Sequence, residues 1–127
     1  GESSAENDAS VVGVADVAGL TVLLPGDVEP AGQRDALRTA RRLGLTLRAD
    51  VAKLPHHGSA RQEEAFLAAT GARLALVSAG EDNAYGHPAP SALTLVGRLG
   101  MEVARTDTEG AIALAERDAL EVRRLGR

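Results

Sequence analysis

Apolar and polar positions change period several times along this chain, and each change predicts an element. Val11 to Val17 and Leu20 to Leu24 are β-type runs split around Asp16, Ala18 and Gly19, which predicts a hairpin. Pro25-Gly26-Asp27 ends the second run. From Ala31 to Leu43 the period turns helical: Ala36, Leu37, Ala40 and Leu43 recur at helical spacing, with Arg34, Arg38, Arg41 and Arg42 outside. Gly44 then fits a C-cap. Ala49 to Leu54 predicts a short buried strand closed by Pro55. Ser59-Ala60-Arg61-Gln62 has the form of a capping box, which predicts a helix from Ser59 to about Thr70 with Glu63 and Glu64 in its first turn. Arg73 to Val77 reads as a strand, Ser78 to Pro88 as a loop, and Pro90 to Leu99 as a helix with Leu93, Val96 and Leu99 on one face. Strands are expected near Glu102 to Arg105, Ala111 to Ala115 and Leu120 to Arg123, with Thr108-Glu109-Gly110 turning between the first two.

Alternating strands and helices predict an α/β or mixed layered fold. In such folds functional side chains gather on loops past the carboxyl ends of strands. Asp27, His57 and His87 each stand just past a predicted strand, so one site can contain all three.

Length and composition narrow the classes. At 127 residues the chain holds one domain with a real core. Phe66 and Tyr85 are the only aromatics, so Ala, Val and Leu must build that core. A net charge of −4 gives no global attraction to nucleic acid, so any such contact needs a local patch. The lack of cysteine excludes disulfides and thiolate zinc sites. No apolar run reaches the ~18 residues of a membrane span. Residues 1–8, GESSAEND, read as a linker or a cloning scar, with residues 9–127 as the domain.

The candidate chemistry is sparse. Asp27 is a short carboxylate at a strand end that can bridge cations, though turn aspartates are common in that place. His57 offers one imidazole nitrogen to a metal, while its other nitrogen needs an acceptor to fix the tautomer. His56, its neighbour, would point the opposite way in an extended segment. Ser59 could donate to a phosphate at a helix N-terminus, or simply cap that helix. His87, between Gly86 and Pro88, could bind substrate, act as acid or base, or order its loop. A catalytic metal needs at least three protein ligands, and no HxH, HxxxH or HExxH pair occurs here. On these residues alone the site does not close.

The blocks NDASVV, LLPGDVE, ADVAKLPHHGSA, ALVSAGEDNAYGHP and ARTDTEGAIAL run from Asn7 to Leu114. In that order they resemble the metallo-β-lactamase-like domain of the ComEC family of bacterial competence (DNA internalization-related) proteins. PHHGS together with NxYGHP carries most of the resemblance. LPGD departs from the threonine-glycine-aspartate more usual there, at a position before the ligand. The resemblance implies an αββα sandwich with a two-metal site, zinc or manganese, in which Asp27 bridges and His57 is a terminal ligand. Similar proteins place further ligands upstream in an HxHxDH block and another histidine, which this chain lacks. It therefore looks like the second half of such a domain.

Several expectations follow from the resemblance. The whole protein would be a multi-pass membrane channel taking up single-stranded DNA, and this segment an extramembrane part of a metal-dependent nuclease domain. Ser59 and His87 would contact substrate. The chain alone would be inactive, with no metal or an incomplete site. Its partners would be the other half of the domain or, through an exposed apolar sheet face, a second copy. A non-catalytic module that assembles or gates the channel, and a lactonase-type hydrolase of the same superfamily, are the rival readings.

Overall fold

The computed structural model describes residues 4–126. After a helical turn α1 (Ala5–Asp8), strands β1 (Gly13–Val17) and β2 (Leu20–Leu24) form the expected hairpin. Ala18 and Gly19 both take positive φ, and Asp16 Oδ1 accepts a hydrogen bond from Gly19 N at 3.1 Å. That is the primed two-residue turn whose twist suits antiparallel strands. Helix α2 (Pro30–Leu43), strand β3 (Val51–Lys53), helix α3 (Glu64–Ala68), strand β4 (Leu74–Val77), helix α4 (Pro90–Arg98) and strand β5 (Glu102–Arg105) follow. A turn α5 (Thr106–Glu109) then leads to strands β6 (Ile112–Glu116) and β7 (Leu120–Arg124).

The main sheet has the order β1-β2-β3-β4-β5, antiparallel between β1 and β2 and parallel thereafter. Strands laid down in sequence with right-handed crossovers carry every connecting helix to the same face. That face holds the larger core, in which Leu23, Ala52, Leu54, Ala75 and Val77 of the sheet and the loop after β3 meet Leu37, Phe66, Leu67 and Val96 of α2, α3 and α4. Each fully buried Leu or Phe there contributes on the order of 1.5–3 kcal/mol relative to exposure.

The opposite face carries Leu20, Val51, Leu74 and Ala104, all buried under Ile112, Leu114, Leu120 and Val122 of the β6–β7 hairpin. The sheet face expected to lie bare is therefore covered over its centre by the chain's own last hairpin. Alternation places Val17 and Leu24 on this same face, and they stay exposed beyond the hairpin's reach.

Two local readings change. The segment read as a linker places its described residues against α2. Asp8 Oδ1 accepts from Glu29 N at 3.0 Å and Gly32 N at 3.1 Å, so it caps a helix whose own N-cap side chain does not. A Cβ on Gly32 would lie 2.6 Å from that same oxygen, so glycine permits the approach. The capping-box reading at Ser59 fails as well. Helix α3 starts only at Glu64, and Gln62 reaches back to the carbonyl oxygens of Pro55 and Ser59, at 3.0 Å each, instead of to an amide. The chain first makes a tight turn over Pro55–Gly58, with His56 and His57 both in the left-handed region.

Candidate metal and substrate site

Parallel strands end their carboxyl termini at one edge of the sheet. That places the Pro25–Asp27 turn, the PHHG turn and the loop from Ser78 to Pro88 side by side, as the sequence anticipated. The three are tied through backbone groups. His56 N donates to Gly26 O at 3.1 Å, and Ala89 N donates to Gly58 O at 2.8 Å. Gly58 has φ +81°, and a Cβ there would fall 2.9 Å from Pro88 Cβ, so the docking of the two loops needs glycine. Asp27 is held from below, where Ser10 Oγ accepts from its N–H at 3.2 Å.

This framework brings His57 Nε2 to 3.5 Å from Asp27 Oδ1. His57 Nδ1 lies 2.7 Å from Ser78 O. A carbonyl can only accept, so Nδ1 carries a proton, and Nε2 is the nitrogen that faces Asp27. A backbone acceptor behind an imidazole is the arrangement that orients metal-ligating histidines. Two donors each ~2.1 Å from one cation at a near-tetrahedral angle stand ~3.4 Å apart, which fits the observed spacing. Both side chains are about half exposed, so a ligand can reach them. The donor pair therefore fits one edge of a coordination sphere. Among the described residues, no group of three or more His, Asp or Glu side chains is arranged to hold a metal ion.

His87 stands beside this pair. Together with His57, Ala79, Gly80, Asn83 and Tyr85 it lines a cleft of about 180 Å³. Its pKa is lowered by burial and by the neighbouring charges of His56 and His57, against the opposing pull of Asp27, so the ring is neutral at pH 7. A neutral imidazole there is suited to accepting a proton. Lys53, at the end of β3, has its ammonium pKa lowered by burial while Asp27 holds it up.

The structure thus assembles Asp27, His57 and His87 and leaves Ser59 aside. Ser59 is buried, its Oγ accepts from Arg61 N at 3.3 Å, and it lines no part of the cleft. His56 is not a bystander in an extended segment. The left-handed turn sends its Nδ1 to 3.5 Å from Glu29 Oε1 and its ring to 5.4 Å from that of His87. Glu29 is itself buried and receives Asn7 Nδ2 at 2.9 Å, Ser4 N at 3.1 Å and Arg61 at 3.1 Å. Its carboxyl pKa is lowered chiefly by the Asn7 hydrogen bond, with further help from Ser4, Arg61 and His56, against the effect of burial.

Sequence reasoning missed Asn83, Tyr85 and Glu29. Asn83 clamps the His87 backbone, with Oδ1 accepting from His87 N at 2.9 Å and Nδ2 donating to His87 O. Tyr85 stacks on the His87 ring at a centroid distance of 5.7 Å. The available signal for Asn83 and Tyr85 was the NxYGHP block, which carried the resemblance without a role being given to either residue.

Comparison with known proteins adds the family context. The chain is 32% identical over 112 residues to ComE operon protein 3 of Bacillus subtilis (strain 168), covering 87% of this chain. It is 33% identical over 95 residues to Competence protein ComA of Neisseria gonorrhoeae, covering 74% of this chain. The chain is related to competence proteins. It spans 14% and 13% of the lengths of these two relatives. No family model matches it, and no solved structure matches it. No helix among the described residues is long and apolar enough to cross a membrane.

Proposed function

We propose that this chain supplies one wall of a metal-dependent phosphodiester-cleaving site in a DNA-uptake protein of the ComEC kind, a multi-pass membrane channel, and that its fold is the second half of a metallo-β-lactamase-like sandwich. The observation that carries the reading is His57. Its Nδ1 is engaged by the Ser78 carbonyl, and its free Nε2 is turned onto Asp27 at 3.5 Å. The names of the two relatives supply the competence context. The remaining ligands would come from polypeptide outside these 127 residues, because a pair cannot satisfy a catalytic cation.

Asp27 and His57 would hold zinc or manganese, which when bound lowers the pKa of water and offsets charge on a phosphoryl oxygen. The rest falls to the chain's own groups. His87 lines the same cleft as His57, where its ring can take a proton, and the Asn83 clamp holds its backbone. Lys53 adds a positive charge beside Asp27. DNA in single-stranded form is the proposed substrate.

Metal titration by calorimetry tests this without requiring turnover. Zn²⁺ or Mn²⁺ should bind the chain weakly, and Asp27→Ala or His57→Ala should each abolish the binding heat. Binding that is unchanged in both variants would exclude the pair as ligands. The chain by itself should cleave no DNA under the same conditions. Cleavage by the isolated chain that survives Asp27→Ala would also remove the reading.

A further inference from the structure

Phe66 is fully buried in the core, whereas Tyr85 is 83% exposed. What distinguishes Tyr85 from the other exposed apolar side chains is its place, since it lines the cleft that also holds His57 and His87. The Tyr85 ring lies beside that of His87 at 5.7 Å with 26° between the planes, and Asn83 holds the His87 backbone. The rest of the Tyr85 ring surface is open to solvent. The cleft wall beside it is made of Ala79 and Gly80, small residues that leave room for a flat ring.

We infer that Tyr85 is a stacking platform for one nucleobase of a single strand, lying beside the pair that would take the strand's phosphate. This rests on the function proposed above and names how that site grips its substrate. A π-face is sequence-tolerant, because every base has one, and only an unpaired strand can present it. The overall charge of −4 gives no global attraction to a polyanion, so binding of a strand needs local contacts such as this ring.

Tyr85 is the only tyrosine and there is no tryptophan, so intrinsic fluorescence reports on this ring alone. A ten-nucleotide oligothymidylate should quench the emission, while an abasic ten-mer with the same phosphates should not. Tyr85→Ala and Tyr85→Leu should weaken oligothymidylate binding roughly 5- to 100-fold, read by anisotropy of a labelled strand, and Tyr85→Phe should stay within about 2-fold. Equal binding by Tyr85→Leu, equal quenching by the abasic strand or by a duplex, or no quenching up to about 1 mM strand, beyond the ~10⁻⁴ M weak end of non-specific binding, overturns the inference. The two readings separate on metal. Quenching that persists in EDTA and gains nothing from Zn²⁺ keeps the stacking platform and removes the metal pair. Zn²⁺ binding lost in Asp27→Ala, with no quenching in the parent chain, does the reverse.

Discussion

Replacing Gly58 by alanine tests whether the PHHG turn and the loop after β4 form one rigid unit. Two costs follow from the structure. A Cβ at φ +81° carries about 1–2 kcal/mol of left-handed strain. The same Cβ at 2.9 Å from Pro88 Cβ and 3.3 Å from Pro88 Cα forces a shift of backbone or ring, worth about 1–3 kcal/mol. Together they are a large fraction of the ~5–15 kcal/mol that holds a domain. At about 4 °C per kcal/mol, where the ranges for smaller and larger domains meet, a cost of about 2–5 kcal/mol should lower the melting temperature by roughly 8–20 °C. The molecule has one way to avoid this, which is to release the loop and give up the 2.8 Å bond from Ala89 N to Gly58 O. In that case the loss in melting temperature is smaller, and amide exchange from Gly80 to Ala89 accelerates instead. Calorimetry and hydrogen exchange on Gly58→Ala, run together, cover both outcomes. A variant that melts within 2 °C or so of the parent with unchanged exchange would show that the loops are not docked as described.

Three further outcomes are expected. Phe66→Ala empties the one buried aromatic position and should destabilise by about 3–5 kcal/mol in urea unfolding; a cost below ~1 kcal/mol would mean the core is not packed there. Asn83→Ala removes both sides of the His87 clamp and should speed exchange across the Ser78–Pro88 loop while leaving the helices protected; an unaltered loop would show that another contact sets its shape. Glu29 has a folded-state pKa below its unfolded value near 4.5, so its contribution is complete above that pH and is lost as pH falls through the lower folded value. Melting scans from pH 6 to pH 3 should therefore show a shallower acid decline in Glu29→Gln than in the parent, and parallel curves would contradict the linkage.

What the sequence determined was the order of elements and the sheet edge at which the candidate residues stand. Period changes marked the hairpin, the first long helix and the strands, because each element buries one face and must repeat at its own spacing. The placement of Asp27, His57 and His87 past strand ends followed from the same pattern, since parallel strands deliver their carboxyl ends to a common edge. The failures were local at first sight and tertiary in cause. Ser59-x-x-Gln62 matched a capping box, but Gln33 Oε1, from a different helix, accepts from Glu63 N at 2.7 Å and leaves Ser59 to brace a turn. Asp8 read as linker because its two acceptor bonds go to amides more than twenty residues away. His56 was assigned away from the site by strand alternation, and a left-handed turn returned it to Glu29 and His87. Tyr85 stood in the NxYGHP block, but its place at the cleft came only with the folded loop. Periodicity records which face a residue buries, whereas partners distant along the chain are chosen by packing, and packing is what sets His57 against the Ala79–His87 loop to form the cleft.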